Sequence, residues 1–147
     1  MVRWLVTLVV LVNTSTLQEK VDKHLYKFYD EIVLLENKQV FLDGHIFNIT
    51  GKTDRVYVGD SRSRFEAFTY MAIIDPDNNT IKHVKILIYR ENYGGEIASK
   101  RWLRQFIGMS KPKHYVDAIS GATISVNSLK VSLNKLILSH KQYLNSS

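Results

Sequence analysis

Hydrophobic positions along this chain follow first a helical period, then a strand period, then a helical one again. Val21, Leu25, Phe28, Ile32 and Leu35 recur at helical spacing, which predicts an amphipathic first helix over residues 17–36 that packs on a sheet. Residues 40–43 and 46–50 flank Gly44-His45 as the arms of a tight hairpin would, and residues 55–59 make a further short strand. Residues 65–74 and 81–89 are rich in β-branched and aromatic side chains and enclose the turn-forming run Asp75-Pro76-Asp77-Asn78-Asn79, so they predict an antiparallel pair. After Gly94-Gly95, the spacing of Ile97, Ala98, Trp102 and Phe106 fits a short helix, and Val126, Leu129, Leu133, Leu136 and Ile137 mark a final one. Strands flanked by helices, with no internal repeat, predict an α+β fold: an antiparallel sheet flanked by helices, in a single compact domain.

The first residues follow neither period. Met1-Val2-Arg3 is a short basic start, Trp4 to Val12 is apolar, and Asn13 to Thr16 is small and polar, the layout of a secretory signal peptide. We place the signal peptide at residues 1–17 and the folded domain at 18–147, with an extracytoplasmic location, periplasmic or at the outer face of the cytoplasmic membrane. The uncharged run from Trp4 to Leu17 is shorter than the roughly 20 residues a membrane-spanning helix needs. An uncleaved anchor and a buried N-terminal strand are the alternatives.

At 147 residues with 45% apolar content, the chain is long enough for one core and too short for two substantial domains. It has no cysteine, which excludes disulfides, Cys-based metal sites and a lipid anchor on an N-terminal cysteine, so any redox chemistry needs a bound cofactor. The net charge is +6, yet Lys and Arg alternate with Asp and Glu over residues 19–38 and the later clusters (Arg90, Lys100-Arg101, Arg104, Lys111-x-Lys113-His114) are short. That distribution predicts a solvated mixed surface and no nucleic-acid partner. An anionic membrane surface is a further candidate partner, and Lys111 to His114 precede the main motif closely enough to face an anionic group there.

That motif is Asp117-Ala118-Ile119-Ser120-Gly121-Ala122-Thr123-Ile124-Ser125. It sets a threonine behind a Gly-Ala pair just before a helical pattern, which presents a hydroxyl and free backbone N–H groups where a phosphate is well received. An ordinary helix start capped by Thr123 or Ser125 uses the same residues. The motif resembles the flavinylation signature of FMN-binding domains, found in covalent-FMN subunits of sodium-pumping NADH:quinone oxidoreductases, Rnf-type complexes and related extracytoplasmic flavoproteins. Tyr89-Arg90-Glu91-Asn92-Tyr93-Gly94-Gly95-Glu96 is similar to the family segment leading into a Gly-rich turn, with Tyr89 where many members have His and Asn92-Tyr93 in place of Thr-Pro; Trp102 and Phe106 resemble the aromatic helix that follows. The resemblance covers about residues 50–140.

The resemblance implies FMN as cofactor, joined by a phosphoester to Thr123, with Ser120, Gly121, Ala122, Ser125 and Asp117 as the rest of the flavinylation motif and Glu91, Tyr93, Gly94 and Trp102 as further flavin contacts. Tyr93, Trp102 and Tyr115 are candidates to flank the ring. It also implies a flavin transferase as a partner, for which Asp117 is a recognition or activation residue. The expected role is electron transfer between a membrane-associated donor and an acceptor, more a redox carrier or complex subunit than a free-standing enzyme, with no turnover catalyst in the chain. A small flavin-dependent reductase and a non-redox interaction or sensory module of the same fold are the alternatives.

Other motifs carry less. His24, His45, His83, His114 and His140 have no ligand spacing on a shared element, so no metal site is expected. Ser120-Gly121 lacks the nucleophile-elbow pattern. The sequons Asn48-Ile49-Thr50 and Asn78-Asn79-Thr80 are assigned no function.

Overall fold

The structure is a computed structural model and describes residues 17–146. The expected signal peptide, except for its last residue, therefore lies outside the described residues. The described chain falls into two compact units, one ending at Val33 and one beginning at Leu34.

The first unit holds helix α1, residues 17–29. The helical spacing read through Leu35 overshoots. The helix stops because Asp30 takes a left-handed conformation (φ 57°) with its N–H on the Tyr26 carbonyl, a conformation that Asp tolerates better than most side chains. Leu35 instead begins a strand.

In the second unit, five strands form an antiparallel meander in the order β1 (Leu35–Phe41), β2 (Gly44–Ile49), β3 (Arg55–Arg62), β4 (Ala67–Asp75) and β5 (Thr80–Ile88). The fold class is α+β with an antiparallel sheet, as the strand and helix pattern indicated. The first hairpin turns at Leu42-Asp43, not at Gly44-His45: Phe41 pairs with Gly44, and Leu42 takes the positive φ of 51°. Gly44 is needed inside β2 for another reason. A Cβ there would run into the Val58 carbonyl and lie 2.6 Å from Gly59 Cα of the neighbouring strand.

Strand β4 reads as a continuous apolar run because both of its faces are covered. Phe68, Tyr70, Ala72 and Ile74 enter the main core, while Met71 and Ile73, pointing the other way, are also buried. Phe68, Met71, Ile73 and Ile74 each contribute roughly 1.5–3 kcal/mol on burial. After β5, a 3-10 turn (Gly95–Ala98), helix α2 (Lys100–Leu103) and a second 3-10 turn (Arg104–Phe106) lead to a segment that closes the sheet edge: Gly108 N–H donates to the Ile81 carbonyl at 2.7 Å and Ile81 N–H to Met109 at 3.0 Å. Residues 110–122 then run to helix α3 (Thr123–Ser146), whose Val126, Leu129, Leu133, Leu136 and Ile137 join the core. No described helix is long and apolar enough to cross a membrane.

Candidate functional site

The site forms where the start of α3 meets the loop after β5. Gly121 has φ 78°, so the chain makes a left-handed step there before turning into the helix. The first helical hydrogen bond runs from Val126 N–H to the Ala122 carbonyl at 2.9 Å, which makes Ala122 the capping residue. Its methyl group cannot accept a hydrogen bond, so the N–H groups of Thr123, Ile124 and Ser125 receive neither a helical nor a side-chain partner. Thr123 is the first helical residue and is exposed. Its hydroxyl has no hydrogen-bond partner among the described residues. The capped-helix reading of the motif therefore does not describe this helix start.

Ser125 points inward. Its hydroxyl donates to Ser63 Oγ at 2.8 Å and lies 3.1 Å from the Tyr89 hydroxyl, which donates to the Tyr93 carbonyl at 2.9 Å. A chain of hydroxyls, buried at Ser63 and Ser125 and half-buried at Tyr89, thus links the β3–β4 loop, the residue after β5 and the first turn of α3. Ala122 is buried and meets Gly94; a Cβ on Gly94 would overlap the Ala122 methyl and lie 3.2 Å from its Cα. Gly121 lies against Tyr93, with Tyr93 Cβ 3.7 Å from where its own Cβ would be. The two segments singled out in the sequence are thereby brought into contact, and Tyr93, 77% exposed, stands beside the turn at Gly121.

Asp117 is held by its backbone. Trp102 Nε1 donates to the Asp117 carbonyl at 2.8 Å, and Asp117 N–H donates to Gln105 Oε1 at 2.7 Å. Its side chain is left exposed, with no partner among the described residues. Ser120 is exposed as well. Trp102 itself is buried, edge-on to Phe106 with ring centroids 5.4 Å apart, so its indole packs in the core and presents its N–H to the motif. Glu91 accepts from the N–H groups of Phe65 at 2.6 Å and Glu66 at 3.3 Å, and so fixes the β3–β4 loop.

That loop was not legible as part of the site. It holds Phe65 78% exposed, on a chain that also contributes the buried Ser63 to the hydroxyl network. The sequence signal available was the Ser-Arg-Ser-Arg break between two strand patterns, but only the contacts with Glu91 and Ser125 show which neighbours it has. No group of three or more His, Asp or Glu among the described residues is placed to hold a metal ion.

The α+β domain with its meander sheet thus brings together an uncapped helix start, a free threonine hydroxyl and a glycine turn packed against it, groups that suit an anion such as a phosphate. The model of the FMN-binding domain family matches residues 66–138, a span that runs from the β3–β4 loop through the threonine turn into α3, so this segment is an FMN-binding domain. FMN is its cofactor. No curated protein matches the chain. The residues present fit the group. Three free N–H groups and an unpartnered hydroxyl converge on the helix start, where a phosphate dianion is favoured by the helix dipole.

Proposed function

We propose that this protein is an exported electron-transfer protein that carries FMN through a phosphoester on Thr123. The observation that supports it is the state of Thr123: first residue of α3, exposed, its hydroxyl unpartnered, with no side chain capping the helix. In this reading a flavin transferase, acting on FAD, joins the threonine oxygen to the FMN phosphorus as the pyrophosphate bond breaks, AMP leaves and the hydroxyl proton is lost. The exposed Asp117 carboxylate is the group that the transferase recognises or uses. The N–H groups of the helix start hold the phosphate, Gly121 lets the chain turn under it, and Tyr93 and Phe65 offer exposed rings to the flavin.

When bound, FMN supplies one- and two-electron redox chemistry; the protein supplies position and electrostatics. A covalent tether suits a location outside the cytosol, because a dissociated flavin would be diluted there, whereas a tethered one stays at an effective concentration on the order of millimolar. The basic start at Arg3 and the short apolar run after it support export.

Intact mass and visible spectrum of the protein from cells that supply both export and the transferase test this reading. A mature, yellow chain heavier than the polypeptide by one FMN phosphoryl adduct is expected. A colourless chain of unmodified mass would defeat it, and a cytosolic chain still beginning at Met1 would remove the exported role while leaving FMN binding in place.

A further inference from the structure

Residues 97–116, Ile97 to Val116, contain Lys100, Arg101, Arg104, Lys111 and Lys113 and no Asp or Glu. Those five cations account for +5 of the chain's net +6, leaving +1 for all the rest. The short clusters belong to one continuous segment that runs from the turn after β5 to the motif. Its apolar members turn inward: Ile97, Trp102, Leu103, Phe106, Met109 and Val116 are buried. The Trp102 and Gln105 bonds to Asp117 close residues 102–117 into one loop. Lys113 is fixed to α3 through both backbone groups, its N–H donating to Asn134 Oδ1 at 2.7 Å and its carbonyl accepting from Asn134 Nδ2 at 2.8 Å.

The exposed side chains of this segment are cationic and also partly apolar. Lys100, Arg101, Arg104 and Lys111 are exposed, and none of the five cations forms an ion pair with a described residue. Between and beside them, Ile107 is 51% exposed and Tyr115 74% exposed. Cations interspersed with an exposed aliphatic and an amphipathic aromatic fit a bilayer surface, where Lys and Arg meet headgroups while the apolar side chains reach the acyl boundary. An acidic protein surface would match the charges and leave Ile107 unexplained. Electrostatic range is short, about 8 Å at physiological salt, so a local cluster, not the net charge, decides binding.

We propose that the outward face of residues 97–116 docks on anionic lipid headgroups, with Ile107 and Tyr115 entering the interface. Docking there would hold the Thr123 turn close to the membrane, because Asp117 at the end of the loop opens the flavinylation motif. The proposal rests on the reading that the protein works at a membrane face, but not on covalent attachment.

Co-sedimentation of the full chain with phosphatidylglycerol/phosphatidylcholine vesicles tests it, with pure phosphatidylcholine vesicles measuring what the apolar N-terminal run contributes alone. Binding to the anionic vesicles should exceed the neutral ones and fall as salt rises. The triple change Arg101→Glu, Arg104→Glu, Lys111→Glu should weaken the anionic binding by about 100-fold or more, each cation near the surface being worth about fivefold. Ile107→Asn should weaken it further at unchanged charge. The triple change Lys38→Glu, Lys135→Glu, Lys141→Glu, at other exposed cations, makes the same charge difference and should leave most of the binding. Equal loss in both triples, no preference for anionic vesicles, or retention by polyglutamate but not by vesicles overturns the proposal. Repeating the measurement on Thr123→Val, which cannot carry the phosphoester, separates this outcome from failure of the flavin reading.

Discussion

Gly94 and Ala122 touch so closely that Gly94 has no room for a side chain, and this contact is what joins the loop after β5 to the start of α3. Gly94 also has φ 76°, which L residues adopt at a cost. Gly94→Ala therefore combines steric overlap with backbone strain and should destabilise the fold by about 2 kcal/mol or more. Because the strain falls on Ala122, beside the proposed attachment residue Thr123, FMN loading should drop further than stability alone explains. Urea unfolding and intact mass on the same preparation check both effects; a variant of wild-type stability and loading would show that the two segments separate without consequence.

Thr123→Val removes the hydroxyl at nearly constant size. Since the hydroxyl caps nothing and touches no described partner, stability should stay within about 0.5 kcal/mol, while the covalent adduct disappears. Intact mass is the readout. A chain that stays covalently yellow would place the attachment elsewhere.

Asp117→Asn deletes a charge and keeps the backbone bonds to Trp102 and Gln105, so the loop should remain folded. The rate of covalent loading by the transferase should fall, with melting temperature unchanged. Normal loading kinetics in a time course of intact masses would reduce Asp117 to a backbone anchor.

Much of this was legible in the sequence because it is local. The motif at Asp117 to Ser125 requires a turn before a helix, and Gly121 supplies it; β4 and β5 show their β-branched runs around a Pro-Asp-Asn turn. The misreadings share a cause. Asp30 ends α1 although hydrophobic spacing continues to Leu35, since periodicity reports which face a residue takes and not where the backbone reverses. Gly44 looks like a hairpin tip but sits in β2 because Val58 of β3 passes too close for a side chain. Roles set across the fold were hidden altogether: Ser125 as a buried link to Ser63 and Tyr89, and Trp102 as a core ring that holds the Asp117 carbonyl. Such roles depend on which segments become neighbours, and spacing along the chain does not record that.

His140 gives the stability a pH dependence that involves no flavin. It is fully buried on α3, its Nδ1 2.7 Å from Asn79 Oδ1 and its Nε2 3.4 Å from Arg55 Nη1, with Tyr143 stacked beside it. Burial, and then the Arg55 charge, lower its pKa to about 4. In the unfolded chain it protonates near 6.5, so between those values the unfolded state binds more protons than the folded one. The stabilisation is complete above pH 6.5 and is lost as pH falls toward 4, by about 3 kcal/mol in total. His83, also lowered by burial and by Lys85 and Lys100, adds a slope of the same sign. His140→Gln keeps a polar side chain for Asn79 and cannot titrate. Urea midpoints measured from pH 7.5 to pH 4 should therefore fall less steeply for His140→Gln than for the parent, with His83 and the carboxylates supplying the remainder. Parallel profiles would mean that His140 protonates without cost, and that the Asn79 and Arg55 contacts do not hold it neutral.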